Sequence, residues 1–259
     1  MILEVKNISK HFGGISALNN ISIAVAKAEI VGLIGPNGAG KTTFFNCITG
    51  IYRPDAGKIT FGEYREEITH FAAHRISERG IARTFQSARV FASMSVLENV
   101  MAGTFSRTCG KLWGTLIRSR RILEEEEAVR RRSEELLRFV KLNSRASSLA
   151  SSLPFGLQRR LEIARALAAE PRLLLMDEPA AGMNAGEKQE LLEIIRKICA
   201  QGISILIIEH DMKVVMGLCQ RIAVLDSGEK IYEGSPQDVQ SNSKVVEAYL
   251  GKKRDASKS

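Results

Sequence analysis

Residues 30–50, IVGLIGPNGAGKTTFFNCITG, restrict the chain more than any other stretch. Ile30–Ile34 is a short apolar run of the kind that forms a buried strand. It leads into Gly35-Pro36-Asn37-Gly38-Ala39-Gly40-Lys41-Thr42, a G-x-x-x-x-G-K-[ST] pattern, with a helix expected from about Lys41. Glycines at this turn let successive backbone N–H groups face one concavity, where a polyphosphate can sit. The dipole of the following helix N-terminus adds to that pull. Lys41 can reach the β- and γ-phosphates, and the Thr42 hydroxyl can ligate Mg²⁺. A glycine-rich turn without ligand is the alternative, but strand and helix flanks make this a nucleotide-binding chain.

Composition narrows the setting. With 259 residues, 44% hydrophobic and 25% charged, the chain suits one large α/β domain with room for an inserted subdomain. No run reaches the length of a membrane span, and MILEVKNISKHF lacks the apolar core and cleavage site of a signal peptide. Cys47, Cys109, Cys199 and Cys219 are scattered, which implies neither zinc nor a disulfide framework and fits a reduced cytoplasm. The net charge is +8, concentrated at Arg118–Arg121, Arg130–Arg132 and Lys252–Arg254. No aromatics interleave with these clusters, so nucleic acid is not the expected partner.

Along the chain, residues 2–8 and 21–26 read as paired strands, separated by a loop at Lys10–Gly14 that carries Phe12. On residue type, Phe12 is either a purine-stacking or a loop-packing aromatic. A turn at Pro54 and Gly57 precedes a strand at Lys58–Phe61, and His70–Arg79 reads as a helix with two surface histidines on one face. A strand over Ile81–Phe85 ends at Gln86. Residues 93–142 are helical in pattern, with Glu126–Arg130 and Glu127–Arg131 spaced for ion pairs, and Ser144–Ser152 reads as a linker. A helix follows from Leu153 to about Ala169, then the strand Leu173–Met176 ending in Asp177-Glu178. After a helix over Ala185–Gln201 come strands at Ser204–Ile208, Arg221–Leu225 and Lys230–Tyr232. Short helices from Ser235 and over Lys244–Leu250 close the chain before a basic, disordered tail, 251–259.

The pair Asp177-Glu178 gains meaning from its place. In a parallel sheet the carboxyl ends of neighbouring strands open onto one crevice. Asp177 would hold Mg²⁺ through a water, opposite Thr42. Glu178 would polarise the water that attacks the γ-phosphate, unless it is only a carboxylate at a helix start.

The phosphate loop GPNGAGKTT, Gln86 after a strand, LPFGLQRR, LLLMDEP and His210 occur in one order and spacing, and together they resemble the ATP-binding cassette of ABC transporters over nearly the whole chain. FGGISALNN, RTFQSARVF, DEPAAGMN, IEHDMKVVM and VVEAYLG are similar to the cassette subunits of branched-chain amino acid importers in particular. That resemblance implies an ATP cradle of Gly35, Pro36, Asn37, Gly38, Ala39, Gly40, Lys41, Thr42 and Thr43, with Phe12 stacked on adenine. It implies that Gln86 touches Mg²⁺ and the attacking water and links the site to a transmembrane partner, and that His210 bonds the γ-phosphate and Glu178. Asn184 falls where many cassettes carry Asp. The signature segment departs from the usual LSGGQ: Leu153-Pro154-Phe155-Gly156-Leu157 keeps Gly156 as a phosphate-facing donor, while Pro154 offers neither hydroxyl nor N–H.

The expected architecture is α/β: a P-loop NTPase core with a parallel sheet, an N-terminal antiparallel β subdomain, and a helical subdomain inserted at about 87–165 of a single domain, 1–250. The expected function is ATP hydrolysis driving import of branched-chain or related hydrophobic amino acids. The implied ligands are ATP and Mg²⁺. The implied partners are a second cassette, transmembrane permease subunits and, indirectly, an external solute-binding protein, at the inner face of the cell membrane. Import of urea or amides, export of lipopolysaccharide, and a soluble ABC ATPase acting on nucleic acid or ribosomes are the alternatives. The last class usually carries two cassettes or a long coiled-coil insertion, and this chain has neither.

Overall fold

A computed structural model describes residues 1–85, 90–104 and 120–250. Gln86, Cys109, Arg118 and the tail 251–259 lie outside the described residues.

Strands β1 (Leu3–Phe12) and β2 (Ile15–Val25) form an antiparallel hairpin turned at Gly13-Gly14. With β4 (Ala56–Phe61) and β5 (Glu66–Glu67) they make a sheet in the order β2-β1-β4-β5. The second sheet has the order β10-β9-β3-β8-β7-β6. Its strands β3 (Ile30–Ile34), β6 (Ile81–Arg83), β7 (Leu173–Asp177), β8 (Ser204–Ile208) and β9 (Arg221–Asp226) run parallel. Only β10 (Glu229–Gly234) is antiparallel in it, as the return arm of a hairpin through Ser227-Gly228. This is the α/β architecture expected, with the antiparallel layer on the N-terminal side.

The parallel strands have no polar face because both faces are covered. Along β3, Ile30 and Ile34 enter one apolar cluster while Val31 and Leu33 enter the other. The same alternation places Leu174 and Met176 of β7 against the helices, and Leu173 and Leu175 against the antiparallel layer. Helix α1 (Lys41–Ile48) fills the space between the two sheets with Phe44 and Phe45, both fully buried. Each such ring contributes ~1.5–3 kcal/mol by burial. On the far side, α3 (Val96–Gly103), α4 (Arg120–Phe139) and α5 (Phe155–Ala168) pack around Val96, Val100, Leu137 and Leu161.

Several local expectations are corrected. The stretch Lys10–Gly14 is not a loop throughout: β1 and β2 run on through irregular pairings to a tight turn at Gly13-Gly14, so Phe12 ends a strand. Gly57 lies inside β4, where a Cβ would sit 2.4 Å from the Asn7 carbonyl at an irregularity of β1. Helix α2 (Ala73–Glu78) starts after His70, which instead accepts from Arg53 Nε at 3.1 Å. His70 and His74 therefore share no helical face, though both are exposed. Arg131 pairs with Glu127 at 2.9 Å as expected, but Arg130 turns to Glu134 at 3.2 Å. On a solvated helix the two choices differ by tenths of a kcal/mol. Residues 144–152 are no linker: two short 3₁₀ turns bury Ala150, and Leu149 bridges to Ser95. Helix α7 (Met212–Leu218), between β8 and β9, has no counterpart in the sequence reading.

Candidate functional site

Gly40 adopts a left-handed backbone (φ 97°), and a Cβ there would stand 2.5 Å from the Ala17 carbonyl. Only glycine fits, and the chain turns at it directly into α1. No side chain caps that helix. By contrast, α3, α6 (Ala185–Ala200) and α8 (Pro236–Ser241) each begin with a capping box. The first-turn N–H groups of α1 thus keep their capacity for an anion. Gly38, also left-handed at φ 82°, has open space where a Cβ would be, so a phosphate can approach its backbone.

A cleft of about 430 Å³ lies over this loop, bounded by Gly38–Thr43, by Ile15–Ala17 of the hairpin, and by Glu178 and Ser227. Volume alone does not select it, since a groove of about 540 Å³ near Arg196 and Gln220 is larger. No carboxylate lines that groove, and its glycine turn at Gly202 does not lead into a helix; the chemistry is at the loop. Lys41 is buried and its ammonium donates to the carbonyls of Gly35 (2.6 Å) and Pro36 (2.9 Å). Burial lowers its pKa, and the negative charges of Glu178 and Asp177 oppose that shift. Two strand ends, those of β3 and β7, therefore meet electrostatically at one lysine. Gly35 N–H also reaches the phenol oxygen of Tyr249 on α9 (Ser243–Leu250), a group whose pKa burial pushes up.

Asp177 ends β7, nearly inaccessible, with Arg83 of β6 at 2.9 Å. Arg83 also donates to Asn46 of α1 at 2.6 Å and lies over the rings of Phe45 and Phe85. Glu178 follows in a left-handed conformation (φ 46°) that glycine would adopt more readily. Its Oε2 stands 3.6 Å from His210 Nδ1 across the ends of β7 and β8. Beside His210, Asp211 caps α7 and pairs with Lys188 at 2.6 Å. The Lys188 contact lowers the Asp211 pKa and raises that of Lys188.

Other predicted residues stand apart. Phe12 is partly exposed at the hairpin tip, edge-on to Tyr52 at 5.1 Å, with Lys10 over its ring. Its hairpin borders the cleft through Ile15–Ala17. Pro154 and Gly156 open α5 and do not line the cleft. Pro154 takes the cap position with its carbonyl accepting from Leu157 and Gln158. Gly156 is pressed against Glu187, whose carboxylate a Cβ would meet at 2.8 Å. Phe155 next to it is exposed, beneath the Arg159 guanidinium. Asn184 caps α6 with Glu187 in return, a pattern readable as N-x-x-E. Sequence reasoning missed Arg83 and Glu209, because a charge hidden inside a strand end carries no periodic signal.

The profile of the ABC transporter family matches residues 18–181, and that of the branched-chain amino acid ATP-binding cassette transporter family matches residues 229–255. The high-affinity branched-chain amino acid transport ATP-binding protein LivG of Salmonella typhimurium is 40% identical over 251 residues, covering 96% of this chain and 98% of its own length. A crystal structure of an ATP-binding cassette of an ABC transporter in its ADP conformation superposes with a TM-score of 0.84 at 35% identity, over 97% of this chain and 99% of the other. A dimeric cassette in a post-hydrolysis state bound to ADP and Pi superposes at 0.76 with 25% identity, over 90% of this chain and 98% of the other.

Proposed function

This chain belongs to the ABC transporter family of ATP-binding cassettes, and from that membership we infer its work: hydrolysing ATP to drive a branched-chain amino acid importer. The carboxy-terminal match over 229–255 supports amino acids as cargo rather than urea, lipopolysaccharide or a soluble partner. The observation that carries the reading is the meeting of Lys41, Asp177 and Glu178 at the uncapped start of α1.

ATP would lie with its β- and γ-phosphates on the backbone N–H groups of residues 38–43, and Lys41 would leave the Gly35 and Pro36 carbonyls for the phosphate oxygens. Phe12 would stack on the adenine. Thr42 and Asp177 offer hard oxygen donors of the type Mg²⁺ takes, and Mg²⁺ supplies charge neutralisation across the phosphates. Glu178 would orient and polarise the attacking water, and His210, 3.6 Å away, would bond the γ-phosphate. Gln86 would touch the metal and relay its state to the permease. Positioning and charge stabilisation do the rest.

A partner cassette would face this chain head to tail, so that Pro154 and Gly156 act on the partner's ATP. Among the described residues no helix is long and apolar enough to cross a membrane. The permease would instead dock from the membrane's inner face, between β6 and the helices that follow it. A hollow of about 390 Å³ lined by Ile76, Phe85, Phe91 and Arg165 supports that position. An external solute-binding protein would deliver the cargo. The test is Glu178→Gln in the assembled transporter: ATP binding should persist while hydrolysis falls at least ~100-fold. Turnover like the wild type's would remove Glu178 from this role.

A further inference from the structure

Glu209 is a buried acid that the hydrolysis scheme leaves unused. It follows β8 directly and is 1% exposed. One carboxylate oxygen, Oε1, accepts the N–H of Ala180 at 2.9 Å. The other, Oε2, accepts the N–H of His210 at 3.3 Å, and Asp211 N–H donates to the same carboxylate. Ala180 belongs to the turn after β7, two residues beyond Glu178, and is itself 1% exposed. We propose that Glu209 is a positioning residue for hydrolysis: its carboxylate ties the turn that carries His210 to the turn that carries Glu178 and sets the distance between them. This rests on the roles given above to Glu178 and His210.

The need for such a tie follows from where the sheet stops. The β7–β8 ladder ends at Asp177 opposite Ile208, and the last peptide bond across it is Glu178 N–H to Ile208 O at 2.9 Å. Beyond it the backbone at Glu178 is left-handed, a conformation that persists only where surroundings over-determine it. The Glu209 carboxylate is the next cross-link. Its two oxygens accept separately, Oε1 from one turn and Oε2 from the other, a reach that the two lone pairs of one hydroxyl or amide oxygen, held on a single atom, do not match. Burial pushes its pKa up, and the N–H groups of Ala180, His210 and Asp211 oppose that shift. With His210 Nδ1 and Glu178 Oε2 at 3.6 Å, a displacement of about 1 Å can cost ~10²-fold in rate.

Glu209→Gln keeps one acceptor and turns an NH₂ group toward the other turn. In the assembled transporter it should lower kcat roughly tenfold with KM for ATP little changed, consistent with a slip of less than 1 Å. In a His210→Ala background the same change should cost less than about twofold, because the distance it sets no longer matters. Hydrogen exchange at the Ala180 and His210 amides should quicken in Glu209→Gln, which reads the tie directly even if turnover is lost altogether. Equal losses in the two backgrounds, or unchanged exchange at both amides, would overturn the role of Glu209 while leaving Glu178 in place. If Glu178→Gln and His210→Ala both turned over like the wild type, the hydrolysis scheme would fall, and Glu209 with it.

Discussion

Arg83→Met is the change whose effect can be worked out most fully. Arg83 and Asp177 are 2.9 Å apart with side chains 7% and 5% exposed, so water screens neither. Removing one partner of a buried pair leaves the other charge stranded, at about 3–5 kcal/mol. Two details shift the expectation to the lower end. Arg83 Nε is itself buried without a hydrogen bond, so its loss relieves about 1 kcal/mol. Methionine can keep the packing against Phe45 and Phe85. A net loss near 3 kcal/mol should lower the melting temperature by roughly 6–12 °C for a domain of this size. Replacing Asp177 by Asn in the same chain should recover most of that, giving a coupling of ~2 kcal/mol in the double-mutant cycle. Magnesium with ADP should stabilise Arg83→Met more than it stabilises the unaltered chain, since the metal would restore positive charge at Asp177. Differential scanning calorimetry of the four variants, with and without magnesium and nucleotide, measures all of this. An additive cycle, or a single-variant loss under about 1 kcal/mol, would show that the pair is effectively solvated.

If the partner cassette carries an ordinary signature, Lys41→Ala in this chain should abolish most ATPase activity of the complex, while the equivalent change in the partner spares more. The reason is that, in the proposed head-to-tail pair, Pro154 and Leu157 would withhold donors from the partner's site, worth ~10²–10³ in rate. Steady-state ATPase assays of both variants decide it, and equal losses would mean that the departures are silent. In a Cys109→Ser background, a cysteine placed at exposed Phe91 should crosslink to an integral membrane subunit, with little background from buried Cys47, Cys199 and Cys219; capture of soluble proteins only would count against permease docking there. Asp55 is held down to about 2, first by the Lys10 ammonium and then by the His11 N–H. Its depressed pKa stabilises the hairpin end above the usual carboxylate range, and that contribution fades as pH falls toward about 2. The His11 amide should therefore remain protected from exchange at about pH 4 and lose protection near pH 2; loss already at about pH 4 would refute the assignment.

The parts of the fold that announce themselves in the sequence are those set by backbone necessity. Gly40 must be glycine, and β7 over Leu173–Met176 and β8 over Ile205–Ile208 are apolar because both faces are covered. The same signals brought Asp177 and Glu178 to one edge; His210 joined them only through the family resemblance. What stayed hidden depends on contacts distant in the chain. Arg83 meets Asp177 across 94 residues, and Glu209 meets Ala180 across 29, so neither leaves a local pattern. Helix α7 escaped because its seven residues, MKVVMGL, show no stripe long enough to separate helix from strand. The stretch 144–152 misled for the opposite reason: small polar residues suggest slack chain, yet here they let the backbone fold tightly against α3.

Glu178 sits on a left-handed peptide where glycine would relieve about 1–3 kcal/mol of strain. Given the role proposed for Glu178, selection for a sturdier fold and selection for turnover favour opposite residues at that codon. A library of this chain screened for heat resistance alone would enrich glycine at 178 and yield well-folded cassettes without hydrolysis. Only a screen that couples survival to transport would keep the glutamate, and the strain with it.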